Sequence, residues 1–193
     1  MRNTNWTKWL VEYSSEDDQA FRDGARIDSH FGLPMNHVHS LSLRPDGCSN
    51  VHAAGKQFRT HYFGNMVAYR HIKSLSTVAW IWDERYRFEG QPVAEEMRWA
   101  QQRFLERLGK RRMAQIASLA RTAGLNPGGK TNGRPDLAVY FPAQEPEWRF
   151  IEIKCADRGD KLGEQQKEWL KLFATYLGPE SAVELELRCE PSK

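Results

Sequence analysis

The 193-residue sequence has few cysteines, no long apolar run and little net charge. Its three cysteines, at positions 48, 155 and 189, are odd in number and far apart, which argues against a disulfide framework. The longest apolar run, residues 78–82, is far too short to cross a bilayer. The N-terminal residues lack the apolar segment of a secretory signal. These absences predict a soluble protein from a reducing compartment, with no membrane partner.

The net charge of +3 says little, but the charges are unevenly distributed. Residues 109–134 contain no acidic side chain, whereas four of the five charged residues at positions 180–190 are acidic. The basic side chains of the first segment are Lys110, Arg111, Arg112, Arg121, Lys130 and Arg134. Such a segment suits binding to a phosphate backbone. A solvated helix face gives the same pattern, and on the charges alone that alternative is favoured.

The first ninety residues give weaker signals than the rest. Residues 6–13 predict an amphipathic helix because their apolar side chains fall at helical spacing. Strands are predicted around residues 41–43, 58–62 and 78–82, the last pairing with residues 86–88. All six histidines also lie here, and His37, His39, Cys48 and His52 are candidates for a zinc site. No paired spacing supports that site, so scattered histidines in contact with solvent or phosphate are favoured.

The second half of the chain predicts alternating helices and strands. The predicted helices cover residues 93–108, 113–123 and 164–177. The predicted strands cover residues 137–141, 148–155 and 182–189. This order predicts an α/β fold with its core at residues 92–193, preceded by an N-terminal α+β extension at residues 1–91.

Two neighbouring predicted strands carry a set of charged residues. Asp136 follows Pro135 at the start of one strand, and Glu152 and Lys154 lie two residues apart on the next, so they point to the same face. Two carboxylates with the backbone carbonyl of Ile153 suit Mg²⁺ or Mn²⁺. Such an ion would lower the pKa of a bound water and offset charge on a phosphodiester in the transition state. Lys154 would orient or deprotonate that water and stabilise the developing oxyanion.

An ordinary ion pair between Glu152 and Lys154 is the alternative interpretation. The flanking residues Ile151, Ile153 and Cys155 indicate a buried strand, where unpaired charges are costly and usually functional. A P-D…E-x-K pattern alone is weak because short patterns recur by chance. Its placement on adjacent predicted strands that a helix follows makes it more specific.

Three segments in this order resemble the VRR-NUC (virus-type replication-repair nuclease) domain of the PD-(D/E)xK nuclease superfamily. They are G-R-P-D-L at residues 133–137, F-I-E-I-K at residues 150–154 and D-K-L-G-E-Q-Q-K-E-W-L at residues 160–170. Residues 117–128 also resemble the helix and glycine turn that precede the family's aspartate. The resemblance covers residues 109–178. It implies a restriction-endonuclease-like fold, a mixed sheet flanked by helices, and Mg²⁺- or Mn²⁺-dependent hydrolysis of DNA.

Carried over by position, the resemblance makes Asp136 and Glu152 metal ligands and Lys154 a catalytic residue. It also places Gln166, on the last predicted helix, in the active site. Gln166 lies on the helix face that points towards the sheet. Its alternative role is to cap the helix behind Gly163.

The sequence departs from the family pattern in three places. Gly163 stands where the family favours serine, and glycine is tolerated at a helix N-cap. The loop over residues 154–160 is longer than usual. The family's upstream metal-binding glutamate is assigned to Glu96, because the helix of Glu96 precedes the core. The alternatives for this ligand are Glu95, Glu106 and Glu12.

Taken together, the sequence predicts a nuclease that acts on branched or otherwise structured DNA in the cytoplasm of its host or of a target cell. The predicted DNA contacts are Lys110, Arg111, Arg112, Lys130 and Arg134. An antibacterial nuclease toxin with a cognate immunity protein is one alternative, and a non-catalytic nucleic-acid-binding module is another. A homodimer is compatible with the sequence.

Overall fold

The computed structural model describes residues 6–23, 55–76, 79–83, 86–90, 95–128 and 133–190. Within these residues, strands form one mixed sheet and helices cover both of its faces. The strands are β1 (Thr7–Tyr13), β2 (Trp80–Asp83), β3 (Leu137–Tyr140), β4 (Trp148–Cys155) and β5 (Ala182–Cys189). The helices are α1 (Ser15–Arg22), α2 (Gly55–Leu75), α3 (Glu95–Leu108), α4 (Lys110–Thr122) and α5 (Glu164–Leu177).

The order of the described strands is β1-β5-β4-β3-β2. Strand β5 is parallel to both of its neighbours, while β3 runs antiparallel to β4 and to β2. Helix α5 provides the crossover that the parallel pair β4 and β5 requires. The predicted α/β fold, a mixed sheet flanked by helices, is therefore confirmed. None of the helices in the described ranges is long and apolar enough to span a bilayer.

Alternation along β4 divides the hydrophobic core into two layers. Ile151 and Ile153 pack in a mainly aliphatic layer with α2, where Gly64 lets the helix approach closely. A Cβ atom on Gly64 would lie 3.2 Å from Cγ2 of Ile153. Trp148 and Phe150 face the other way, into an aromatic layer covered by α3, α4 and α5. Residues 152 and 154 share the face of Trp148 and Phe150, so that the helices of the aromatic layer flank them.

Two predictions for the residues before position 75 are wrong. Residues 7–13 form a strand rather than a helix, with Val11 and Tyr13 buried and Leu10 and Glu12 exposed in strict alternation. Residues 58–62 belong to helix α2 rather than to a strand. The predicted strand at residues 41–43 lies outside the described residues, as do His37, His39, Cys48 and His52.

The predicted strand at residues 86–88 is not a strand either. Tyr86 and Phe88 are instead buried in the aromatic layer, where both rings contact Phe104 and Phe150. Strands β1 and β2 come from residues 1–91 yet belong to the same sheet as β3, β4 and β5. The sheet and its core therefore continue across the predicted boundary at residue 91.

The C-terminal part agrees closely with the sequence patterns. Strands β4 and β5 and helix α5 begin and end at the predicted residues. Strand β3 ends one residue early, at Tyr140. Helix α3 is described from Glu95 onwards, within the predicted range, and helix α4 begins at Lys110, three residues earlier than predicted.

Candidate active site

A cavity of about 540 Å³ lies at the end of the sheet where β3 begins and β4 ends. Asp136, Glu152, Lys154 and Gln166 all line it. Asp136 immediately precedes β3, Glu152 and Lys154 lie on β4, and Gln166 lies in the first turn of α5. The structure thus brings the four predicted catalytic residues together, while their catalytic roles stay predictions.

Two hydrogen bonds fix the backbone and the side chain around Asp136. The buried hydroxyl of Tyr86 donates to the carbonyl oxygen of Pro135 at 3.0 Å. The backbone N–H of Ile153 donates to Oδ2 of Asp136 at 2.8 Å. Asp136 is therefore tied to the strand that carries Glu152, through the peptide unit between Glu152 and Ile153.

Gly133 explains how the loop before Asp136 reaches the start of helix α5. Its φ angle is +70°, a conformation that side chains other than glycine rarely adopt. A Cβ atom there would lie 2.7 Å from Cβ of Gln165 and 3.2 Å from the backbone nitrogen of Gln166. The loop and the helix are in backbone contact that only glycine permits, and this contact holds Asp136 and Gln166 on the same cavity.

Glu152 is the most strongly perturbed group in the cavity. It is only 1% exposed, and its Oε1 accepts hydrogen bonds from Nζ of Lys154 at 2.9 Å and from the side-chain amide of Gln166. Its Oε2 is buried and has no hydrogen-bond partner among the described residues. Burial, together with the nearby Asp136 carboxylate, raises the pKa of Glu152 well above its ordinary value, against the opposing effect of Lys154.

Lys154 is buried beside three carboxylates. Its Nζ lies 2.9 Å from Glu152 and 3.5 Å from Asp160. Burial alone would lower the pKa of Lys154, but Glu152, Asp136 and Asp160 outweigh it and raise that pKa above its ordinary value. In the metal-free protein the side chain therefore remains a cation at neutral pH.

Gln166 makes a hydrogen bond with each end of its side-chain amide, one inside the cavity and one that caps helix α5. Its side-chain nitrogen donates to Oε1 of Glu152. Its side-chain oxygen accepts a hydrogen bond from the backbone N–H of Gly163 at 2.7 Å, which caps helix α5. The cap fixes the orientation of the amide, so that its N–H group points at the glutamate.

A divalent cation fits this set of side chains. Glu152 has an unpartnered buried oxygen and a raised pKa, and a positive charge at that oxygen would offset both effects. Asp136 and Glu152 would hold the ion. Within the described residues no group of three or more His, Cys, Asp or Glu side chains forms a metal site. Two carboxylates with several waters are a usual arrangement for Mg²⁺.

The upstream glutamate ligand stays a prediction. The side chain of Glu96 lies outside the described residues, but its helix α3 packs on the same sheet face as Glu152, with Phe104 in the aromatic layer. Of the alternatives, Glu12 and Glu106 are exposed and do not line the cavity. The side chain of Glu95 also lies outside the described residues.

The predicted DNA contacts lie elsewhere. Lys110, Arg111 and Arg112 are exposed at the start of α4, where Nη1 of Arg112 lies 4.0 Å from Glu147. Glu147 belongs to the loop that joins β3 to β4, so it lies roughly 20 Å along β4 from the cavity.

The predicted DNA contact at Arg134 is not compatible with the burial of this side chain, whereas the predicted contact at Lys130 stays a prediction. Arg134 is buried, donates from Nη1 to the carbonyl oxygen of Pro127 at 3.4 Å and lies 5.9 Å from the ring of Tyr86. It stabilises the turn before Asp136 instead of facing solvent. Lys130 lies outside the described residues.

Several residues that line the cavity were not identified from the sequence. Gly64 of α2 lines it, as do Arg158, Asp160 and Lys161 from the loop between β4 and α5. The available signal was the presence of two basic side chains, Arg158 and Lys161, in the loop between β4 and α5. The role of Gly64 depends on how α2 packs on β4, which no local pattern indicates.

Comparisons with known proteins identify one family and one similar solved structure. The VRR-NUC domain model matches residues 73–184, more than half of the chain and including all four predicted catalytic residues. A crystal structure described as paFAN1 bound to 2nt 5′ flap DNA with gap aligns with 100% of this chain and 39% of that one. Its sequence identity to this chain is 14% and the TM-score is 0.43. The chain thus spans about two fifths of that protein's length. No curated protein matches the chain.

Proposed function

The chain belongs to the VRR-NUC domain family, and we propose that it is a Mg²⁺- or Mn²⁺-dependent nuclease that hydrolyses phosphodiester bonds in branched or otherwise structured DNA. The observation that carries the proposal is the buried carboxylate of Glu152, with one oxygen held by Lys154 and Gln166 and the other unpartnered. Such an arrangement is costly unless a cation completes it. The choice of structured DNA as substrate follows from the family.

The residues around the cavity have different roles in the proposed hydrolysis. The bound ion would activate a water and offset the charge that develops on the phosphodiester. Asp136, anchored on the Ile153 amide, and Glu152, oriented by Gln166, would hold the ion. The ordering of both carboxylates before substrate arrives reduces the reorganisation that the reaction requires.

Lys154 supplies a fixed positive charge beside the reacting phosphate. Its ammonium group is held between Glu152 and Asp160, and its raised pKa keeps it protonated. This favours stabilisation of the developing oxyanion over proton abstraction. A role as base would first require the metal to lower the pKa of Lys154.

A panel of linear, flapped and four-way-junction DNA tests the proposal. We expect the parent protein to cleave flapped or branched DNA with Mg²⁺ or Mn²⁺, and to stop when EDTA is added. Asp136→Asn should lower both the affinity for Mn²⁺, measured by calorimetry, and the rate of cleavage. Binding without cleavage in both metals would instead favour the non-catalytic module.

A further inference from the structure

A segment outside the matched family region contacts a residue that lines the cavity. Strand β1 and helix α1 precede residue 73, where the family match begins. Asp18 of α1 is buried, and its Oδ1 lies 2.6 Å from Nη2 of Arg158. Arg158 lines the cavity together with Asp136 and Glu152. The N-terminal segment therefore has a direct ionic contact with a wall of the candidate active site.

The loop that carries Arg158 is fixed at two consecutive residues. Asp157 accepts hydrogen bonds from the hydroxyl of Tyr13 at 3.3 Å and from the backbone N–H of Cys189 at 2.5 Å. Arg158 is held by Asp18, and its guanidinium lies 5.6 Å from the ring of Phe63. Strands β1 and β5 and helix α1 thus hold this loop in one position.

The charges in the cavity explain what a fixed arginine does there. Asp136, Glu152 and Asp160 line a space that the polyanionic backbone of DNA has to enter. Lys154 is already paired with two of these carboxylates. A further cation on the wall offsets the remaining repulsion, and the planar guanidinium of arginine matches the geometry of a phosphate group.

We propose that Arg158 binds a backbone phosphate of the DNA strand in the cavity and that Asp18 is its positioning residue. The inference rests on the proposed function, because it names the contact by which the same site holds its substrate. It assigns to residues 7–22 a part in substrate binding. An ion pair that only ties the loop to α1 is the competing interpretation.

Arg22 offers a matched control for Arg158. It pairs with the other oxygen of Asp18, also at 2.6 Å, but its side chain is 66% exposed and does not line the cavity. Arg158→Gln and Arg22→Gln therefore remove the same charge from the same carboxylate. They differ in whether the lost cation lies in the cavity.

The test is a titration of fluorescently labelled flapped DNA with the full chain, in EDTA and at several salt concentrations. Arg158→Gln should raise the Kd about tenfold and reduce the slope of log K against log salt by about 1. Arg22→Gln should stay within about twofold of the parent. Arg158→Lys should retain the salt slope because it retains the charge. Asp18→Asn should weaken binding, and should add nothing to Arg158→Gln in the double variant.

A second measurement requires no variant. Phenylglyoxal modifies arginine side chains, and mass spectrometry reports the extent at each position. Bound DNA should protect Arg158 and leave Arg22 as reactive as before. The inference would be overturned if the Arg158→Gln and Arg22→Gln proteins had the same Kd and the same salt slope. If Arg158→Gln does not fold, equal protection of Arg158 and Arg22 by DNA would overturn it.

Failure of the proposed function is seen separately, as a parent protein that binds DNA but does not cut it. In that case the EDTA titration still decides the role of Arg158. A parent that binds none of the DNA substrates overturns both proposals.

Discussion

Two ion pairs near opposite ends of strand β4 have the same chemistry and opposite surroundings. Arg112 and Glu147 lie 4.0 Å apart at the hairpin end, with side chains 49% and 39% exposed. Lys154 and Glu152 lie 2.9 Å apart at the cavity end, with side chains 9% and 1% exposed. At the hairpin end, where a loop joins β3 to β4, the solvent provides most of the stabilisation of each charge. At the cavity end the protein has to provide it.

The difference in burial between the two ion pairs shows which end of β4 is less favourable for the stability of the fold. An exposed pair contributes about 0–1 kcal/mol. A buried pair loses several kcal/mol of hydration per ion, and hydrophobic side chains of the same volume often stabilise a protein as well or better. Strand β4 buries Trp148 and Phe150 in an aromatic layer, but further along the same face it buries Glu152 and Lys154. The change from apolar to charged residues along one strand marks the site.

The largest effect is expected from Glu152→Gln, with Glu147→Gln as the matched control from the other end of the strand. Loss of the buried charge should lower single-turnover cleavage on the order of 10²–10³-fold, because the metal loses a ligand charge. Glu147→Gln should cleave at the parental rate. A folded Glu152→Gln protein with full activity would disprove the assignment of the site.

The second largest effect concerns the other member of the buried pair. Lys154→Ala should reduce cleavage about 10²-fold while Mn²⁺ and DNA still bind, because the lysine acts on transition-state charge. Lys154→Arg keeps the charge but is a poor base, so partial recovery would show an electrostatic role. Calorimetric Mn²⁺ titration beside single-turnover kinetics measures both quantities. Parental cleavage by Lys154→Ala would place the chemistry elsewhere.

Gly133→Ala tests the backbone contact that brings the two halves of the site together. Gly124 has nearly the same φ, +72°, but nothing lies within 4 Å of a Cβ atom there. Gly124→Ala should therefore show only the backbone strain of about 1 kcal/mol. Gly133→Ala adds a steric clash and should cost roughly 2–4 kcal/mol and lower cleavage. Chemical denaturation measures both variants, and equal losses would mean that helix α5 moves away easily.

The stability of the metal-free protein should depend on pH through Glu152. Its pKa in the folded protein is raised above the ordinary value of 4.5, so the folded state retains a proton that the unfolded state releases. Between pH 4.5 and the raised value, the free energy of unfolding should therefore fall as the pH rises. Glu152→Gln should lack this component. Parallel pH profiles of the two proteins in EDTA, from urea denaturation, would contradict the raised pKa.

The smallest effect is expected at the hairpin end. Replacement of Lys110, Arg111 and Arg112 together by Ala should weaken DNA binding roughly two- to fivefold and flatten its salt dependence. These side chains are exposed and lie far from the cavity, so they can contact only the flanking backbone. Single-turnover cleavage at saturating DNA should not change. Parental binding and salt slope would identify the start of α4 as a solvated face.

The accuracy of the sequence predictions follows the strength of the local pattern. Strand β4 was predicted to the residue because the apolar residues on both sides of Glu152 are typical of a buried strand. Strand β1 was predicted as a helix because Trp6, Trp9, Leu10 and Tyr13 fit helical spacing, although Leu10 is 57% exposed. An edge strand has one neighbour and tolerates such a side chain.

The cavity was only partly predictable for a different reason. Short sequence motifs contain Asp136, Glu152, Lys154 and Gln166, and the spacing of these motifs indicates that the four side chains lie close together. Arg158 becomes a candidate only through Asp18, which is 140 positions away in the sequence. Contacts between distant residues depend on the packing of the whole sheet, and a single sequence gives no local sign of them.

The pairing of β1 with β5 has a consequence for how the protein folds. The pairing joins Thr7 to Val183, 176 positions apart, so β1 has no partner in the described sheet until the last strand has been synthesised. Loop closure over such a distance is slow, and the sheet is completed late. Asp18 and Tyr13 can hold the loop of Arg158 only after that step. Residues 136, 152, 154 and 166 are therefore synthesised and can fold before the contacts that fix Arg158 on the cavity wall have formed.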